Sequence, residues 1–171
     1  DGMRAEGVRD YGFLYAGLMI DADGTPRVLF FFNGSATTET QPILYRLDSD
    51  LVDLLDAALD GRLGKARADW DPRPAVGVVM AAGGYPGHYR TGGENTGLPA
   101  DGLPHAKVFH AGTGVDAAGR IVTRGGRVLC VVGSGASVRE AQREAYRVVD
   151  RIHWDGVQFR RDIGYRAIAR E

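Results

Sequence analysis

An apolar run, Val76 to Met80, leads directly into Ala81-Ala82-Gly83-Gly84-Tyr85-Pro86-Gly87. This junction limits the backbone more than any other stretch of the chain. The run reads as a buried strand. The five residues that close the segment hold three glycines, a tyrosine and a proline. Glycine admits positive φ and lets another group approach the backbone closely. Proline fixes φ and removes a donor. A strand that ends this way turns sharply, and the N–H groups of such a turn are placed to hold an anion. The structural alternative is a tight exposed turn between two strands. The residues alone leave both readings open.

Around this junction the chain alternates short strands with a few helices. Tyr11 to Ile20 and Arg27 to Phe32 flank the turn Asp21-Ala22-Asp23-Gly24 and predict a hairpin. Asn33 to Gln41 reads as a polar surface loop, with Pro42 opening a helical turn. Asp48 or Ser49 is expected to cap a helix carrying Leu51, Val52, Leu54, Leu55, Ala58 and Leu59 on one broad face, with Gly61 ending it. Residues 62 to 74, with Pro72 and Pro74, read as a connection between two units. Lys107 to Val115 reads as a strand broken at Gly112, and Ile121–Thr123 and Arg127–Val132 flank Arg124-Gly125-Gly126. Ser137-Val138-Arg139-Glu140 is a capping box. The helix behind it sets Val138, Ala141, Ala145, Val148, Val149 and Ile152 on one face. Hairpins dominate the mixture, so the fold class is α+β.

The composition excludes several kinds of function. The 171 residues carry a net charge of −1, which gives no pull toward nucleic acid or an anionic membrane surface. No apolar stretch approaches the length of a membrane span, and no signal peptide opens the chain. The one cysteine, Cys130, lies inside the apolar run Val128 to Val132, so a disulfide within the chain is excluded and a buried thiol is expected. A cytoplasmic location follows as the expectation. His88, His105, His110 and His153 lack metal-ligand spacing, and no dinucleotide, P-loop, zinc-protease or nucleophile-elbow motif occurs. No metal site is expected.

Several segments taken together resemble one family. They are Ala5-Glu6-Gly7, Tyr11 to Met19, Glu39-Thr40-Gln41-Pro42, Ala81 to Gly87, and Lys107 to Thr113. Thr123 to Cys130, Ala141-Gln142, Ile152 to Gly156 and Arg160 to Ile168 follow in the same order. The chain resembles the C-terminal part of the phosphoribosylamine–glycine ligases, members of the ATP-grasp ligases. The resemblance implies the last hairpin and helix of an ATP-grasp core over residues 1–66. A small β-rich C-terminal domain with one long helix would follow over residues 74–171. The implied reaction joins glycine to phosphoribosylamine with ATP and Mg²⁺ in purine biosynthesis. The family's N-terminal domain, central domain and lid have no counterpart in the chain.

The chain also departs from the resembled pattern. Counting back from Glu39-Thr40-Gln41-Pro42, a Glu-x-Asn pair that holds Mg²⁺ in the family falls on Phe30 and Phe32. An Arg-Phe-Gly-Asp-Pro stretch falls on Gly34 to Thr38, and a family Asp falls on Gly93. Phenylalanine offers no oxygen to a hard octahedral ion. No cofactor is therefore expected for this chain alone, and independent ligase activity is not expected. The resemblance places Gly83, Gly84, Tyr85, Pro86 and Gly87 toward the family's active-site cleft. Arg160 and Arg161 either fork onto a phosphate or pair with Asp162 and Asp155 as structural ions. Glu6 belongs to a substrate-side loop by resemblance, and Glu39 is either a substrate-side carboxylate or a helix N-terminal charge. The expected partners are a phosphoribosyl-type small molecule and either a second copy or a protein supplying the missing ligase domains. The alternative function is a non-catalytic metabolite-binding or interaction module. A truncated piece of a longer ligase is a third reading.

Overall fold

In the computed structural model, residues 5–7, 12–33, 39–99 and 102–171 are described. Expectations for Tyr11, for Gly34 to Thr38 and for the first four residues lie outside that set. The chain separates into two compact units. One comprises Asp1–Thr40 and Leu47–Asp71, the other Gln41–Arg46 and Pro72–Glu171.

In the first unit, β1 (Leu14–Ile20) and β2 (Pro26–Asn33) form the expected antiparallel hairpin. Asp21 closes its turn: its carbonyl accepts from Gly24 N–H at 3.0 Å, and its carboxylate accepts from Arg27. The register shifts once, between Gly17 and Leu18. Gly17 lies opposite Phe30, whose ring fills the space a β-carbon would need. Leu14, Met19, Ile20, Leu29 and Phe31 are each more than half exposed, so the ribbon is apolar and unburied on this chain.

The first unit also holds the helix α2 (Leu51–Leu59), which follows the short helix α1 (Thr40–Tyr45). The cap of α2 is Asp50, not Asp48 or Ser49. Its carboxylate accepts from Val52 N–H at 2.7 Å. The two residues expected to cap have other work. Asp48 N–H donates to Asp69 O at 3.0 Å, and Ser49 Oγ accepts from Asp69 N–H at 2.8 Å. They hold the strand-like segment at 69–70 against Leu47, which pairs with Trp70. The apolar face of α2 stays largely in solvent, with Val52 and Leu59 exposed and Ala57 buried.

The second unit is built on β3 (Ala75–Ala81), β4 (Ala106–His110) and β7 (Arg127–Ser134). They form one antiparallel sheet in the order β3-β7-β4. The central strand is covered on both faces, which explains its unbroken apolar sequence. Val128, Leu129, Val131 and Val132 have no exposed surface. Each contributes about 1.5–3 kcal/mol by leaving water. A smaller ribbon pairs β5 (Thr113–Val115) with β6 (Ile121–Thr123). Gly112 separates β4 from β5, as the sequence suggests.

The helix α3 (Val138–Val149) backs the sheet. Ser137 Oγ accepts from Glu140 N–H at 3.1 Å, and Glu140 Oε2 accepts from Ala136 N–H at 3.0 Å. The capping box is thus formed, with its return bond one residue earlier than the motif's usual partner. Ala141, Ala145, Val148 and Val149 are buried. Ile152 is buried too, but beyond the helix end. Ala141 and Ala145 let the helix lie directly on β7: a β-carbon on Gly133 would collide with backbone atoms of both. The mixture of a helix-backed antiparallel sheet and short hairpins is α+β.

The chain after α3 is fastened to that helix. Gln142 Nε2 donates to Ile163 O at 2.7 Å, and the Tyr146 hydroxyl donates to Arg160 O at 2.6 Å and accepts from Ile163 N–H. A last helix, α4 (Tyr165–Ile168), follows Gly164.

Candidate functional site

The glycine turn leaves the end of β3 where backbone bonds to Gln158 and Gly126 anchor the strand. Ala81 exchanges two backbone hydrogen bonds with Gln158, at 2.8 and 3.0 Å, and Ala82 N–H donates to Gly126 O at 2.8 Å. Gln158 Nε2 also donates to Tyr85 O at 2.8 Å. Within the turn, Tyr85 N–H reaches Ala82 O and Gly87 N–H reaches Gly84 O. The Tyr85–Pro86 peptide is cis. Gly84 sits at φ +95°, and a β-carbon there would strike His88 O. A β-carbon on Gly83 would lie 2.7 Å from Gly156 O. These two positions therefore need glycine for shape, independently of any ligand.

The turn forms one wall of an open cleft of about 370 Å³. Gly83 contributes from the turn, and His88, Arg90 and Thr91 follow it in sequence. Gly92, Gly93, Thr123, Asp155 and Gly156 complete the lining, with Gly156 packed against Gly83. Gly92, Gly93 and Thr123 form a small ladder. Gly92 N–H donates to Thr123 O at 2.7 Å, Thr123 N–H to Gly93 O at 2.9 Å, and Gly93 N–H to Thr123 Oγ1 at 3.1 Å. Thr123 is 1% exposed. Its hydroxyl accepts one bond and keeps its own proton to donate.

The nominated residues do not all gather there. Gly83 lines the cleft, and Gly84 to Gly87 form the turn behind it. Arg160 forks onto Asp162, at 2.9 and 2.7 Å. That contact holds the Asp162 carboxyl below its ordinary range and raises the Arg160 guanidinium. Arg161 pairs with Asp150 at 3.1 Å and lies 4.8 Å over the Phe159 ring. Neither arginine is in the cleft lining, and the partner of Arg161 is Asp150, not Asp155. Glu6 is exposed in a turn of the first unit, and half-buried Glu39 directly precedes α1. Sequence reasoning passed over Arg90, Thr123 and Asp155. The available signal was the Tyr-Arg-Thr-Gly-Gly run that follows the turn, which supplies a cation and side-chain-free backbone together.

The metal site of the resembled family does not fit these residues. Phe30 lies half exposed on β2, its ring stacked 6.0 Å from that of Tyr15, and offers no donor atom. Among the described residues no three His, Cys, Asp or Glu side chains converge on a point. Burial pushes the Cys130 thiol up to about 11, so at neutral pH it is protonated and a poor nucleophile. No helix among the described residues is long and apolar enough to cross a membrane.

A helix-backed antiparallel sheet whose first strand ends in this glycine turn is the architecture of a ligase C-terminal domain, and comparison with known proteins supports that class. The family model described as phosphoribosylglycinamide synthetase, C domain, matches residues 75–166. The chain belongs to that family. A phosphoribosylamine–glycine ligase of Allochromatium vinosum is 61% identical over 170 residues, covering 99% of this chain and 40% of its own length. The ligase of Vibrio cholerae is 54% identical, with 99% and 39% covered. The solved phosphoribosylamine–glycine ligase of Thermotoga maritima superposes with a TM-score of 0.74 at 36% identity, covering 94% of this chain and 39% of that one. The chain thus spans about 40% of the length of the curated relatives it matches, and corresponds to their C-terminal portion.

Proposed function

We propose that the chain serves as the C-terminal part of a phosphoribosylamine–glycine ligase, the ATP-dependent enzyme that joins glycine to phosphoribosylamine in purine biosynthesis. The observation that carries this reading is the match over 99% of the chain to ligases of that name. In this reading residues 1–66 are a remnant of the ATP-grasp core and residues 74–171 the C-terminal domain. The protein works in the cytoplasm, and the cleft beside Gly83 takes a phosphoribosyl-type metabolite, with Gly84, Tyr85, Pro86 and Gly87 shaping its wall. Arg160 and Arg161 reach a ligand only by leaving Asp162 and Asp150. Glu6 and Glu39 are the substrate-side carboxylates of the first unit in this reading. The stretch given covers about 40% of the ligases it matches, and in it Phe30 offers no oxygen to Mg²⁺.

A second reading has its own observation. The β1–β2 ribbon exposes Leu14, Met19, Ile20, Leu29 and Phe31, an apolar surface that favours self-association or a protein partner. On that reading the chain is an interaction module, either pairing with a second copy or docking on a polypeptide that supplies the remaining ligase domains.

Isothermal titration with glycinamide ribonucleotide and, separately, with Mg-ATP separates the two. The first reading expects heat from the ribonucleotide and none from Mg-ATP. Binding of Mg-ATP overturns the claim that this chain lacks the metal site. Silence with both ligands, together with a dimer in sedimentation, supports the second reading.

A further inference from the structure

The geometry points to Arg90 as the residue that anchors the phosphate of the cleft's ligand, with Gly83 of the glycine turn supplying a backbone donor in the same lining. This rests on the reading of the cleft as a phosphoribosyl site and adds the residue that takes its phosphate. Arg90 follows the turn, lines the cleft and is exposed. It makes no ion pair or hydrogen bond among the described residues, whereas Arg120, Arg147, Arg160 and Arg161 are all committed to carboxylates. A guanidinium without a partner keeps its whole fork for a phosphate.

Two further donors belong to the lining. Gly83 N–H has no acceptor among the described residues. Thr123 is buried, lines the cleft and has a hydroxyl proton to give. His88 adds an imidazole next to Arg90 in the lining. The lining also holds one carboxylate, Asp155, next in sequence to Gly156, which packs against Gly83. A carboxylate repels phosphate but accepts from sugar hydroxyls or an amine, so Asp155 suits those groups of a phosphoribosyl ligand.

The test uses the full chain and two probes, ribose 5-phosphate and glycinamide ribonucleotide, titrated into wild type, Arg90→Ala and Arg90→Lys. The side chain is exposed and unpaired, so both variants are expected to melt with the wild type. Arg90→Ala is expected to lose about tenfold or more in affinity for both probes, the scale of one charged hydrogen-bonded contact, and Arg90→Lys to recover part of it. Wild-type affinity in Arg90→Ala overturns the phosphate assignment and leaves the phosphoribosyl reading of the cleft standing. Failure of the wild type to bind either probe overturns both.

Discussion

Asn95 is the residue least at ease in this structure. It is 6% exposed, and neither atom of its side-chain amide meets a partner among the described residues. It precedes Thr96, which bridges to His153, and Trp154 follows His153 with an indole N–H that is also buried without a partner among the described residues. A buried amide left unpaired costs about 1–3 kcal/mol. Asn95→Leu keeps the branched shape with more bulk, so relief of the unpaired amide, less the cost of added volume, should raise stability by about 1 kcal/mol in urea denaturation. A loss of that size would show that the amide is satisfied in solution. Cys130 gives a second prediction at this scale, with its sign set by burial. The folded thiol keeps its proton until about pH 11, while an unfolded thiol releases it near pH 9. Stability from this group is complete below pH 9 and falls as pH rises from 9 to 11. Thermal melts at pH 8 and pH 10 should show wild type losing more than Cys130→Ala. An equal loss in both contradicts the buried, protonated thiol.

At the scale of elements, α3 on β7 carries the second unit. Gly133→Ala forces the helix off the strand and should cost about 1–3 kcal/mol by overpacking, with Ser137→Ala costing about 1 kcal/mol by removing the cap. Guanidinium titrations of both variants check this, and a neutral Gly133→Ala would mean that the helix does not rest on the strand backbone. These elements were legible in the sequence because local signals agreed: a capping box, a 3.6-residue apolar stripe and continuous apolar strands. The cap of α2 differs from the expectation because Asp48, Ser49 and Asp50 are all competent N-cap acceptors. Only the tertiary bonds of Asp48 and Ser49 to residue 69 release Asp50 for the cap. The four-residue helix α4 has too few residues to show a period. The glycine turn was legible as a shape, but the cleft was not. Its lining comes from stretches near 83, 88–93, 123 and 155–156, which no local pattern joins.

For the whole molecule, the two units differ in how they meet water. The second buries a continuous core that includes Met80, Leu129, Val148 and Trp154, while the first leaves most of its ribbon and much of α2 exposed. Cooperative folding is accordingly expected from the second unit, with the first contributing little to it. The central claim is that the cleft beside the glycine turn receives a phosphoribosyl ligand. The most direct measurement is a two-dimensional amide NMR titration of the full chain with glycinamide ribonucleotide. The expected result is that shifts concentrate at Gly83, Gly84, Arg90 to Gly93, Thr123 and Gly156, while the ribbon at 14–33 stays unperturbed. Shifts centred on Arg160 and Arg161 instead, or none at saturating ligand, would contradict that claim.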